Sequence, residues 1–336
     1  MSNDKRTRIS RRSFVCGAGA AALGASVGST SLAVAAAETA AKAGAAELPR
    51  RVLGKTGLSV TCMTLGTAPC GLAKTSSPQD VARVVNLALD LGVNFVDTSP
   101  GYGKAEEGVG LALGRRRKEI LLATKVRADD VPDAEQKLAK SLATLKTDYL
   151  DVLYLHDLGD RDVKRARDPD GVFTWLLKQK QAGKCRFVGV SGHNLPGRFP
   201  AFLETGQVDV ILVTVNFVDR YTYAFEEKVL PLAQKHEVGI VAMKVFGGPD
   251  PKTGSWGNPD AKPNVGLERV ESAIRYALST PGVASANLGV HNQQQVRQNV
   301  EIVKRFQPLL PDEQKKLAQL GRELAGQWGP HFGPVT

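Results

Sequence analysis

From residue 62 onward, short apolar runs alternate with longer stretches whose apolar positions recur at helical spacing. The runs Cys62–Leu65, Val93–Asp97, Ile120–Lys125, Leu150–His156, Phe187–Ser191, Val208–Val213, Gly239–Lys244 and Ala284–Leu288 read as buried strands. Between the first two, Val81, Val84, Val85, Ala88, Leu89 and Leu91 form one helical stripe. Ser77-Pro78 opens that helix with a capping hydroxyl and then a proline, whose missing N–H is not needed in a first turn. Helices are also predicted over Glu106–Leu113, Ala134–Leu145, Phe173–Gln181 and Gln293–Phe306. Eight strand–helix units, with no early G-x-G-x-x-G turn, predict an α/β fold: one (β/α)₈ TIM barrel rather than a doubly wound sheet. The barrel is expected over residues 50–310, with a C-terminal helix and tail over 311–336. The charged stretch Asp157–Asp170 reads as a long loop on the wall of a cleft.

The first residues follow another pattern. Ser10-Arg11-Arg12-Ser13-Phe14-Val15 opens a charge-free, Ala/Gly/Ser-rich stretch that reaches Ala37. Twin arginines before a weakly apolar segment and the small-residue site Ala33-Val34-Ala35 predict a twin-arginine export signal over 1–37, with a linker over 38–49. The expected location is periplasmic or otherwise exported, with the twin-arginine translocation machinery as a partner. An uncleaved stretch would serve as an N-terminal membrane anchor; its Ala and Gly content favours cleavage, with no stable membrane insertion afterwards.

The formal charge is +10, of which residues 1–37 carry +4, leaving +6 on the remainder. The densest cluster, Arg115-Arg116-Arg117-Lys118, lacks aromatic interleaving or a binding motif, so no nucleic-acid partner is expected. Beyond the signal stand Cys62, Cys70 and Cys185, an odd number without CxxC spacing, which predicts buried inert thiols rather than disulfides or zinc. Cys70, near the barrel mouth, is the thiol to watch. His193, His236, His291 and His331 show no metal-ligand spacing, and no metal is expected.

The candidate chemistry lies where strands end. Asp97 closes the second run, Tyr102 sits in the turn after it, Lys125 closes the third and His156 the fourth. Parallel neighbours in a barrel bring their C-terminal ends to one face, where barrel chemistry sits. A carboxylate, a phenol, an ammonium and an imidazole would therefore meet in one pocket.

Asp97-Thr98-Ser99-Pro100-Gly101-Tyr102-Gly103 with Glu107 and Gly110, then Thr124-Lys125-Val126 and Leu155-His156, resembles the aldo-keto reductase family in the order of its active-site positions. Leu53-Gly54-Lys55-Thr56-Gly57-Leu58-Ser59-Val60 resembles its N-terminal hairpin. The resemblance implies hydride transfer between a nicotinamide cofactor and a small carbonyl or alcohol. Tyr102 would be the general acid, Lys125 would lower its pKa, Asp97 would pair with Lys125, and His156 would orient the carbonyl. It also implies cofactor contacts from Ser191, His193 (it or Asn194 in place of an amide where Gly192 stands), Met243, Gly247, Gly248, Gly289, Gln295 and Asn299. The segment Pro249–Asn264 would fold over the cofactor, and Trp328 and Phe332 would either close over substrate or pack as a plain tail. NADP is the implied cofactor. NAD stays possible because Gly289 and Gln295 occupy positions where some relatives place phosphate-binding cations. Two other readings remain: a cofactor-binding barrel with little turnover, serving as a redox-sensing or partner-binding subunit, and a Schiff-base lyase using Lys125.

Overall fold

The computed structural model describes residues 47–336. The expected export signal, and the linker up to residue 46, lie outside the described residues. Strands β1 (Arg50–Val52) and β2 (Ser59–Thr61) form an antiparallel hairpin. Eight parallel strands follow: β3 (Met63–Gly66), β4 (Phe95–Asp97), β5 (Leu121–Val126), β6 (Leu150–Leu155), β7 (Cys185–Gly192), β8 (Val210–Thr214), β9 (Gly239–Met243) and β10 (Val283–Gly289). They pair in chain order, and β10 returns to β3 to close the barrel. The eight-strand expectation holds, with strand ends moved by one or two residues.

Two apolar layers hold this architecture. Inside the barrel, Phe95, Val152, Tyr154, Leu212, Val241 and Met243 pack together, and Leu53, Leu58 and Val60 of the hairpin close the end of the barrel where the strands begin. A larger layer between strands and helices includes Val81, Val85, Leu122, Leu153, Phe199 and Ile240. The helix Pro78–Asp90 begins where Ser77 predicts. Asp80 N donates to Ser77 Oγ at 3.2 Å while Ser77 N donates to Asp80 Oδ2 at 2.9 Å, a reciprocal cap worth about 1 kcal/mol. The helix Val131–Leu145 starts three residues ahead of the predicted Ala134, because Asp130 caps it and Pro132 fits its first turn.

The stretch expected as a loop after β6 contains a 3₁₀ turn, Leu158–Asp160, and a helix, Val163–Arg167. Asp162 caps the helix, and Arg165 Nη2 donates to Asp170 Oδ2 at 3.0 Å. Two of the four basic residues are taken up within the fold: Arg116 pairs with Asp90 and Glu119, and Arg117 pairs with buried Asp151 at 3.0 Å, while Arg115 and Lys118 are exposed. No helix among the described residues is long and apolar enough to cross a membrane.

Candidate active site

Parallel register sets Asp97 of β4 beside Gly66 of β3 and Ala123 of β5, and Lys125 of β5 beside Tyr154 of β6. Asp97 and Lys125 therefore emerge at the same end of the barrel. The Lys125 ammonium donates to Asp97 Oδ1 and Oδ2 at 2.7 Å each and to the carbonyl of Thr98 at 2.8 Å. Lys125 is 1% and Asp97 3% exposed, so this pair is buried yet fully bonded on the cationic side. Asn287 of β10 donates to Asp97 Oδ1 at 3.0 Å. Tyr102 lies in the following turn, its ring centroid 4.7 Å from Lys125 Nζ. The His156 ring stands edge-on to it at 6.2 Å.

Burial and charge set the protonation states. Burial alone would pull Lys125 down, but Asp97 and Tyr102 together outweigh it and hold the ammonium above its ordinary range. Burial pushes the Tyr102 phenol up, with Lys125 opposing. The sequence reading expects Lys125 to win that contest; here desolvation is the larger effect and Tyr102 stays protonated. Burial, then Lys125 and His193, press His156 well below its usual range, so its imidazole is neutral near pH 7. Burial would raise Asp157, yet His193, whose Nδ1 lies 3.4 Å from Asp157 Oδ2, brings it to about 2. Burial pushes the Cys70 and Cys185 thiols up to about 12, which leaves them unreactive.

Two cavities meet at this cluster. One, of about 180 Å³, is lined by Asp97 and Tyr102, by Met243 and Gly248, and by Gly289, Gln295 and Asn299, with Trp256 and Lys262 contributed by the segment after β9. The other, of about 490 Å³, is lined by Tyr102, His156, Asp157, His193, Lys244 and Trp256. Tyr102, His193, Lys244 and Trp256 belong to both. Of the positions expected to contact a cofactor, His193, Met243, Gly248, Gly289, Gln295 and Asn299 line the first cavity. Ser191 and Gly247 do not. The Ser191 hydroxyl accepts from Asp157 N at 3.2 Å and lies 3.4 Å from the carbonyl of Leu155, inside the strand ends. Gly247 faces the Trp328 ring instead, which would lie 2.4 Å from an added Cβ.

The first cavity presents two unpaired polar atoms to a ligand. Asn287 Oδ1 and His291 Nδ1 on its wall are buried without a partner. Asn299 is buried on the helix Gln293–Lys304, and a paired bridge between Pro249 and Pro263 holds the covering segment in a loop. Sequence reading missed Asn287, Lys244 and Trp256. A lone amide in the otherwise small and apolar run Val283–Leu288 was the available signal for Asn287; Trp256 had none beyond its place in a Gly- and Pro-rich segment.

A parallel barrel with a buried ammonium–carboxylate pair, a phenol and an imidazole at its strand ends defines the class: a barrel whose chemistry is polar and protonic. Residues 62–256, more than half the chain, match the Aldo/keto reductase family, and the chain belongs to it. It is 29% identical over 294 residues to L-galactose dehydrogenase of Arabidopsis thaliana, covering 79% of this chain and 91% of that protein. It is 27% identical over 330 residues to pyridoxal 4-dehydrogenase of Microbacterium luteolum, covering 79% and 94%. Among solved structures, an aldo-keto reductase from Bacillus halodurans in its holo form superposes with a TM-score of 0.65 at 24% identity, covering 82% of this chain and 96% of that one. An aldo-keto reductase from Klebsiella pneumoniae in complex with NADPH gives 0.62 at 21%, covering 81% and 95%. At these identities the two structures establish the shared fold.

Proposed function

We propose that this protein is a nicotinamide-dependent oxidoreductase interconverting aldehydes or ketones and alcohols, with Tyr102 as the general acid and base. The observation that carries the reading is the meeting of Asp97, Lys125, Tyr102 and His156 where the two cavities join. NADP is the cofactor we favour, in line with the NADPH complex of the Klebsiella relative. His193, Met243, Gly248, Gly289, Gln295 and Asn299 would hold it. When bound, the cofactor supplies or accepts the hydride.

The chain's own residues do the rest. A protonated Tyr102 is the state a proton donor needs, and its raised pKa keeps it in that state near neutral pH. As the proton leaves, Lys125 stabilises the phenolate by charge, and Asp97 keeps Lys125 cationic. That same pairing removes the neutral amine a Schiff-base lyase would require. Neutral His156 can hold a carbonyl oxygen by a hydrogen bond without competing for the proton. In the alcohol-oxidising direction Tyr102 takes the proton back. The assembled cluster weighs against a barrel that binds cofactor without turnover. Tyr102→Phe should lower kcat for aldehyde reduction by about 100-fold or more while cofactor still binds. Near wild-type turnover in that variant would remove Tyr102 from the role.

A further inference from the structure

One cation of the site has no task in this chemistry. Lys244 follows β9 with a backbone φ of 55°, a left-handed conformation that few residues other than glycine adopt. Two bonds fix it there: its carbonyl accepts from Asn216 Nδ2 at 2.9 Å and from Gly247 N at 2.8 Å. The side chain is thereby delivered to the junction of the cavities. Its ammonium lies 4.1 Å from the centroid of the Trp256 ring and 5.4 Å from that of Phe332. Of the other cations nearby, Lys125 has Asp97, Arg127 has Asp160 and Lys137 has Asp133, while Lys262 lines the narrower cavity only and shows no acidic partner among the described residues. Asp157, the acid on the wall of the larger cavity, has Oδ2 3.4 Å from His193 Nδ1 and Oδ1 without a partner; it makes no ion pair with Lys244. Among the described residues, no hydrogen bond or ion pair takes up the three donors of Lys244. Aromatic faces attract a cation but satisfy none of its N–H groups.

We propose that Lys244 is a substrate-specificity residue that receives a carboxylate carried by the carbonyl compound, making this enzyme selective for acid-bearing aldehydes or ketones. The inference rests on the carbonyl-reductase reading and names the substrate class of that site. Position argues for substrate rather than cofactor. The ammonium shares the junction with Tyr102 and also lines, with His156, the larger cavity, which Gly289, Gln295 and Asn299 of the narrower cavity do not reach. An anion at the junction belongs to the molecule whose carbonyl meets Tyr102. Burial lowers the Lys244 pKa to about 8; Asp157, Asp219 and Asp97 oppose that from a distance, and none of them makes an ion pair with the ammonium. A substrate carboxylate would supply that charge through a charge-assisted hydrogen bond.

The test compares 4-carboxybenzaldehyde with 4-methylbenzaldehyde, which differ at one substituent, in the wild type, Lys244→Met and Lys244→Arg. Calorimetric titration with benzoate in the presence of oxidised cofactor reads binding without turnover. The wild type should favour the carboxylate in kcat/KM, and Lys244→Met should lower that selectivity ratio by about tenfold or more. Lys244→Arg should keep most of it, and benzoate should bind more weakly to the Met variant. An unchanged ratio overturns the proposal. So does a fall in NADPH affinity with the ratio intact, which would assign Lys244 to the cofactor diphosphate. If neither aldehyde is reduced, the oxidoreductase reading fails separately, and the titration still decides: benzoate binding dependent on Lys244 supports the anion subsite, and binding independent of it overturns the proposal.

Discussion

Burying an ammonium and a carboxylate strips water from both, and Asp97 and Lys125 recover that cost only by bonding each other, Thr98 and Asn287. Removing one partner leaves the other charge alone in the barrel. Asp97→Asn or Lys125→Met should each cost about 3–5 kcal/mol in denaturant unfolding, and the double variant should cost clearly less than their sum. Additive losses would show that the two do not act as a pair. Lys244 has the opposite linkage. Its folded pKa, about 8, lies below its ordinary 10.5, so between those values the unfolded chain holds a proton that the folded chain has released. Wild-type stability from this group therefore rises as pH climbs from about 8 toward 10.5, and the cost of burying the charge is full below 8. Asp157, Asp219, Asp97, His193 and Lys125 all act on the same field, so the comparison must be with Lys244→Met. That variant should melt above the wild type at pH 7, with the gap closing by pH 10; a pH-independent gap would contradict the linkage. At this scale Asp97, Tyr102, Lys125 and His156 were legible because each ends or follows an apolar run. The role of Lys244 was not, because only its backbone conformation, set by Asn216 and Gly247, aims it at the junction.

Between residue and fold, the covering elements decide who reaches the cluster. Asp250 N donates to the carbonyl of Lys262 and Asn264 N to that of Gly248, both at 2.8 Å, which ties the segment after β9 to the barrel rim. The tail after the helix Pro311–Trp328 is tied beside it. Phe332 N donates to Tyr223 Oη at 2.7 Å, that hydroxyl donates to the carbonyl of Gly333 at 3.1 Å, and His331 Nε2 lies 2.9 Å from Asp219 Oδ1. Gly247 is where the tail meets the barrel. Its φ is 70° and its missing Cβ leaves room for Trp328, whereas Gly57, at 68°, faces open space. Both Gly→Ala changes carry the left-handed cost, about 1 kcal/mol, but only Gly247→Ala also drives a carbon into the indole. Gly247→Ala should destabilise more than Gly57→Ala, shift tryptophan emission and raise substrate KM. Equal effects would mean that Trp328 does not seat against Gly247. Strands and long helices were legible here because burial imposes a period on them. The helix Val163–Arg167 was not: five residues held by the Asp162 cap and the ion pairs of Arg165 leave no period to read.

At the scale of the whole molecule, closure depends on pairs such as Met63 with Ala286, which join β3 to β10 across most of the chain. The count of eight runs was enough to predict that closure, because only the eighth strand returning to the first leaves no open edge. A ligand lying across the barrel mouth therefore stabilises the fold as one unit, by about 2.7 kcal/mol at 100 times its Kd. This bears on a conflict within the sequence. Ser10-Arg11-Arg12-Ser13-Phe14-Val15 reads as an address for export, while nicotinamide nucleotides are drawn from the cytoplasm. We propose that the protein leaves the cytoplasm folded, with its nucleotide bound, since a twin-arginine route carries folded chains whereas an unfolded passage would release the ligand. Native purification from the exported fraction, followed by denaturation and mass analysis of the released small molecules, should yield NADP or NAD at close to one per chain. Stripping it should lower the thermal midpoint, and adding it back should restore the original value. Protein that arrives free of nucleotide and binds it only in the high micromolar range would refute export of the loaded enzyme, and protein retained in the cytoplasm would refute the address itself.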